Sequence, residues 1–319
     1  MGTLDKGVTL DKLGKEGVLP SPIVKNIMSK AYGDSVVGRL AGTTPIPASG
    51  MSITVPVGEP VAGIVGEGEL KPIITAGVAT KTLKTKKVAA LMYWSEEARR
   101  KNPVGYLEYL EKTAADAIRR AIDMAVLHGK NALTGAALEG VEYVAQTGNS
   151  IDLGTTDAAG GGLTGDILAA YDLVLQDGGD ISAFVADPLM RTKLMRATTK
   201  DGLPVYNAYG DRSRGGIDLT DPMGDLLGVP VAYSKAVSGK MGAVEDTKIR
   251  MIGGDFKNSI TFGYTMSMNY RRSTEAVIVD GGNPIYLWQQ NLEAFIIEAE
   301  FGWVLRNKDD FVTLKEKVG

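Results

Sequence analysis

The chain is organised around a stretch that opens Gly50-Met51-Ser52-Ile53-Thr54-Val55-Pro56-Val57 and closes Asp123-Met124-Ala125-Val126-Leu127-His128-Gly129. Met51, Ile53, Val55 and Val57 alternate with Ser52, Thr54 and Pro56, the period of a half-buried strand. Ile64 to Glu69 then turns acidic and glycine-rich. A return segment from about Val78 to Tyr93 is rich in threonine and lysine, with neither face consistently apolar before Val88. A lone two-stranded hairpin buries too little surface to offset the entropy of ordering it. The arm is therefore either disordered or laid on another subunit, and its β-branched alternation argues against disorder. Its charge is polarised, with Glu67 and Glu69 at the tip and Lys81, Lys84, Lys86 and Lys87 toward the base. These six are the candidate inter-subunit contacts.

A helix follows at once. Asn102-Pro103 fits an N-cap followed by proline at the first helical position. Leu107, Leu110, Ala114, Ile118, Ala121 and Ala125 recur at three- and four-residue steps as one apolar stripe, with Glu108, Lys112, Arg119, Arg120 and Asp123 mainly off it. Gly129 supplies a left-handed stop. From Pro103 to His128 the helix would be a rod of about 40 Å.

The full length of 319 residues suggests about two domains. A net charge of −3 excludes a generally basic nucleic-acid binder while leaving room for local patches. The chain has no cysteine, which excludes disulfides, thiol nucleophiles and cysteine zinc sites. No stretch is apolar enough for a membrane span, and the N-terminus lacks the apolar core of a signal peptide. Residues 1–50 read either as a floppy tail or as an arm that orders only against neighbours. Strands and helices alternate from about Val141 to Lys248, an α/β pattern in which Thr164 and Asp187-Pro188 are helix starts and Gly178-Gly179 a helix end. Near the end, Ile260, Phe262, Tyr264, Met266, Met268 and Tyr270 alternate with polar residues and glycine as one long strand. Asp280-Gly281-Gly282-Asn283-Pro284 is a turn. A second long strand follows, placing Phe295, Ile297, Ala299, Phe301, Trp303 and Leu305 on one face. That pair of strands is expected to cover the stripe of the long helix.

Chemistry is sparse. His128 is the lone histidine, and at a helix C-terminus it reads as a helix-end cation or a packing residue. No phosphate-binding glycine loop, metal motif or cofactor fingerprint occurs. Gly63-Ile64-Val65-Gly66-Glu67-Gly68 lacks a strand–helix context, and its glutamate would repel phosphate. The Glu298/Glu300 pair is the remaining catalytic candidate, for a carboxylate-dependent hydrolase, and reads equally as an interface pair.

The order of parts resembles the major capsid proteins of tailed bacteriophages with the Hong Kong 97 fold. Ala62-Gly63-Ile64-Val65-Gly66-Glu67-Gly68 is similar to that family's extended-loop segment. Thr85-Lys86-Lys87-Val88-Ala89-Ala90-Leu91 followed by Ser95-Glu96-Glu97 is similar to its entry into the spine helix. Asp123 to Gly129 resembles the end of that helix, Leu227-Gly228-Val229-Pro230-Val231 a characteristic turn, and Gly254-Asp255-Phe256 the approach to the final sheet. The resemblance implies an α+β fold with an N-terminal arm (1–50), an extended β-hairpin loop (51–93), a peripheral domain with the spine helix (94–140) and late strands (249–319), and an axial domain (141–248). It implies a non-enzymatic subunit that assembles with itself into the hexamers and pentamers of an icosahedral virion shell, in a bacterial host's cytoplasm, around double-stranded DNA. A portal is a further implied partner, and, since no long coiled prefix precedes the arm, a separate scaffolding protein or none is implied. The alternative with the same fold is an encapsulin-type compartment that holds cargo enzymes.

Overall fold

A computed structural model describes residues 30–31, 35–47, 49–57, 62–67, 70–71, 73, 77–101, 103–157, 160–199, 202–208, 223–265 and 269–317. Helices are α1 (Val36–Ala41), α2 (Glu96–Lys101), α3 (Pro103–His128), α4 (Leu163–Gln176), α5 (Met190–Met195) and α6 (Phe256–Ser259). Strands β1 (Thr44–Pro45), β2 (Met51–Val57), β3 (Gly77–Leu83) and β4 (Lys86–Ser95) precede α2. Strands β5 (Ser150–Leu153), β6 (Ala183–Ala186), β7 (Tyr206–Ala208), β8 (Met223–Leu226) and β9 (Val229–Tyr233) follow α3. The chain ends in β10 (Ile249–Gly254), β11 (Ile260–Tyr264), β12 (Asn269–Ser273), β13 (Val277–Asp280), β14 (Asn283–Tyr286), β15 (Leu292–Leu305) and β16 (Phe311–Glu316).

The long helix runs over the span its sequence signals mark, 26 residues from Pro103 to His128. Leu110, Ala114, Ile118, Ile122 and Ala125 are buried along it, and they share one core with Phe295, Ile297, Ala299, Phe301, Trp303 and Leu305 of β15. Asn102 and the side chain of Leu107 lie outside the described residues. Gly129 stops the helix at φ +61°, and a Cβ there would stand 2.3 Å from the Tyr143 ring. Both the backbone and the packing therefore require glycine.

β15 is the spine of a five-stranded sheet. β4 pairs along one edge, from Leu292↔Ser95 to Phe301↔Lys86. β11 and β12 share the other edge, at Tyr264↔Phe301 and Asn269↔Glu298. Between those pairs one side advances five residues and the other three, so the expected single strand is broken by an irregularity; Met266 and Met268 lie outside the described residues. The turn at 280–284 closes a small separate hairpin, β13–β14, instead of joining the two long strands.

The second sheet has seven strands in the order β5-β16-β10-β6-β9-β8-β7. Within it β10 and β16, which follow residue 248, pair with each other, with β6 and with β5, and stand apart from the other late strands. All four residues of β6 are buried. Val185, Ala232 and Ile252 face the core of α3, while Phe184, Val231 and Met251 face a second core with Ile167 and Val174 of α4. A sheet covered on both sides needs continuous apolar runs, and β6, Ala183-Phe184-Val185-Ala186, is such a run. The sheet is thus a wall shared by two cores.

Local signals act as read at two points, with one shift. Asp187 begins the turn into α5, its Oδ1 accepting from Leu189 N at 2.9 Å. Thr164 lies one residue inside α4, where its hydroxyl donates to Thr198 O at 2.9 Å, and Gly162 takes the cap position. Leu227 and Gly228, at φ +54° and +86°, form the two-residue turn between β8 and β9. A hairpin turn with two positive φ values matches strand twist, which accounts for a glycine in that motif.

Candidate assembly surfaces and the junction beneath them

β2 and β3 pair without interruption from Met51↔Leu83 to Val57↔Gly77. Seven residues at about 3.3 Å each carry the hairpin about 20 Å outward. Its base is docked on its own chain, contrary to the expectation of a wholly unpartnered arm. Leu83 is fully buried in a small cluster with Ile46 and Val304, against which Met51 and Ile53 pack. One leucine in a threonine–lysine strand gave little warning of this. The distal part differs, with Ile64, Leu70 and Ile73 each more than nine-tenths exposed.

Three of the four candidate lysines are held by their own subunit. Lys81 Nζ donates to Glu142 Oε2 at 2.7 Å and to Leu305 O at 2.9 Å. Lys86 Nζ donates to Glu139 O at 3.2 Å. Lys87 pairs with Glu298 at 2.8 Å. Lys84 is exposed in the two-residue link between β3 and β4, and Glu67 is exposed near the loop tip. Glu69 lies outside the described residues. The lysine run thus fastens the loop base and the start of β4, which pairs along β15.

Of the carboxylates weighed for hydrolysis, Glu298 is tied into ion pairs. Glu298 lies between Lys87 and Arg271, and the hydrogen bond from Lys87 leads in holding its carboxyl below the ordinary range. A general acid needs the opposite shift.

The polar centre that sequence reasoning missed is Asp123. It lies on the buried side of α3, not off the stripe. Its Oδ1 accepts from Ser35 Oγ at 2.7 Å and from Val36 N at 3.1 Å, and its Oδ2 accepts from Ser234 Oγ at 3.3 Å. One carboxylate thereby joins the start of α1, the long helix and the segment after β9. Burial pushes its pKa up to about 6 against the lowering effect of the Ser35 hydrogen bond and Arg119. Five residues on, His128 Nε2 lies 2.8 Å from Ala236 O and 3.0 Å from Val237 O. Two carbonyl partners require Nε2 to carry the hydrogen, and burial depresses the ring's pKa. His128 is therefore a neutral buried donor, not a helix-end cation. Asp123 and His128 together hold residues 234–237 against the last turns of α3.

A family model described as "Phage capsid family" matches residues 16–315. The "Probable major capsid protein gp17" of Mycobacterium phage D29 is 26% identical over 311 residues, 95% of this chain and 91% of that protein. A solved chain of Gordonia phage Cozz superposes with a TM-score of 0.70 at 27% identity, over 89% of this chain and 87% of that one. One of Mycobacterium phage Ogopogo gives 0.69 at 25% identity, over 89% and 92%. The likeness in sequence and in fold thus extends over nearly whole chains: this protein belongs to the phage capsid family and has its Hong Kong 97-like fold.

Proposed function

We propose that the chain is the major capsid protein of a phage virion, assembling with itself into pentamers and hexamers of a closed shell around double-stranded DNA. α3 with β4, β11, β12 and β15 would form the peripheral domain, and the seven-stranded sheet, including β10 and β16, the axial domain. The arm of residues 1–50 and the loop beyond β2–β3 would reach neighbouring copies, with a portal and a scaffolding protein as the other partners during assembly in the host. The observation that carries this reading is the hairpin itself. Its base is satisfied internally, while Ile64, Leu70 and Ile73 project into solvent. Apolar side chains grouped on a projecting arm indicate a contact surface, and many modest contacts repeated under symmetry close a shell.

Electron microscopy of the purified full-length chain tests it. Closed isometric shells are expected, and a monomer or small oligomer under all assembly conditions would overturn the reading. Nuclease-protected double-stranded DNA in native particles separates a genome shell from a cargo compartment. The acidic tip has its own test. Glu67→Lys combined with Glu69→Lys should impair shell formation while leaving the subunit's melting unchanged; normal shells from that variant would remove the tip's role.

A further inference from the structure

A cleft of about 510 Å³ opens between α3 and the segment that follows β9. Arg119 and Arg120 line it from the helix, and Lys235 and Lys240 line it from the opposite side. Four cations from two segments more than a hundred residues apart thus converge on one concavity, in a chain whose net charge is −3. Arg119 is paired with Asp116 at 3.0 Å. Among the described residues, Arg120, Lys235 and Lys240 have no ion-pair partner. The one carboxylate lining the cleft, Asp123, accepts from Ser35, Val36 and Ser234, feels the charge of Arg119, and forms no ion pair with Arg120, Lys235 or Lys240.

We propose that this cleft binds backbone phosphates of duplex nucleic acid, with Arg120, Lys235 and Lys240 as the contacts. The proposal rests on the shell reading, which brings a duplex to the subunit, and adds the residues that would meet it. Three charges with no ion-pair partner among the described residues, on long, exposed side chains, suit a ligand of repeated charge and variable register. They suit a protein interface less well, because lysine is depleted there. Binding through stacked single-stranded bases is disfavoured as well. The aromatic ring at the cleft, Tyr233, already lies under the Arg191 guanidinium, 4.3 Å from its centroid. Contacts of this kind give affinity without sequence preference.

The test uses the unassembled full-length chain and a short fluorescein-labelled duplex of random sequence, followed by anisotropy at several salt concentrations. The triple variant Arg120→Gln, Lys235→Gln, Lys240→Gln should bind at least about ten-fold more weakly. Its log–log salt slope should fall by up to about 3, near 0.9 for each lost phosphate contact. Lys257→Gln, a change to an exposed lysine on α6, should alter neither. The side chains removed are exposed, and a melting curve matching the parent's shows that the variant folds. Unchanged affinity and slope overturn the proposal. So does binding of tripolyphosphate without duplex, which would mark a site for a free anion. Binding of a peptide spanning residues 62–73, lost in the triple variant and without duplex binding, would assign the cleft to a neighbouring copy and also overturn it. The two readings fail separately: shells with unaltered duplex binding by the variant overturn the cleft alone, and a parent chain that binds duplex but forms no shells overturns the shell reading alone.

Discussion

Two antiparallel strand pairings in this molecule differ in what surrounds them. β15 has partners on both edges, β4 on one and β11 with β12 on the other, and one of its faces lies against the long helix. β2 and β3 pair with each other, and of β3 only Leu83 is fully buried. The first pairing is stabilised by apolar burial within the subunit. The second is long for what it buries within the subunit, which is the ground for proposing that its far end meets neighbouring copies. The difference teaches that strand pairing alone does not show which body a strand stabilises; the side chains beneath it do.

The strongest way to break this comparison is to weaken both pairings. Ile118 is fully buried on α3 beneath β15. Ile118→Ala should lower unfolding free energy by about 4 kcal/mol, within the range for large-to-small changes at well-packed sites. Urea denaturation of the subunit measures it. Leu83→Ala, at the hairpin base, should cost only about 2 kcal/mol, because its cluster is small and close to solvent. Equal losses from the two variants would mean that the hairpin base belongs to the main core.

A third, smaller effect concerns the junction between the regions. The Asp123 pKa is raised to about 6 in the folded chain, whereas an unfolded aspartate titrates near 3.9. The folded state therefore holds the proton more tightly. The resulting stabilisation is complete below about pH 4 and is lost as pH rises through about 6. Asp123→Asn removes this dependence. Between pH 4 and pH 7 the parent should lose stability relative to the variant by on the order of 2 kcal/mol. Parallel pH profiles from chemical denaturation would contradict the assignment. Since His128 is common to both proteins, its opposite dependence cancels in the comparison.

Local features were legible before the fold was known, and long-range ones were not. Pro103 and Gly129 bracket the long helix because a missing N–H and a left-handed stop are properties of single residues. The face of β15 from Phe295 to Leu305 was legible because alternation is local. The partnership of β10 with β6 and β16 was not, since an apolar run such as Ala183-Phe184-Val185-Ala186 in β6 suits any covered sheet. The Asp123 junction was hidden for the same reason: its hydroxyl partners, Ser35 and Ser234, lie 88 and 111 residues away. The lysines at the loop base were visible as a charge run, but their pairing with Glu142 and Glu298 depended on chain segments that only folding brings near. The cationic cleft is a further case, because Arg119-Arg120 and Lys235/Lys240 are unremarkable surface charges until α3 meets the segment after β9.

The smallest effect on the subunit should come from the loop tip, and it sharpens the comparison most. Ile64 and Ile73 are almost fully solvated, so they contribute no burial to the isolated chain. Ile64→Ser combined with Ile73→Ser should therefore change unfolding free energy by no more than about 0.5 kcal/mol, as expected at exposed positions away from packed contacts. Shell yield should behave differently, because each lost apolar contact recurs at every copy of a symmetric interface. The measurement is a pair, denaturant unfolding of the subunit and the fraction of protein sedimenting as shells. A stable subunit with a sharply reduced shell fraction places the tip's energy between subunits. Unchanged unfolding with unchanged shell yield would show that these side chains meet nothing in the assembly, and the contrast between the two pairings would reduce to one of length.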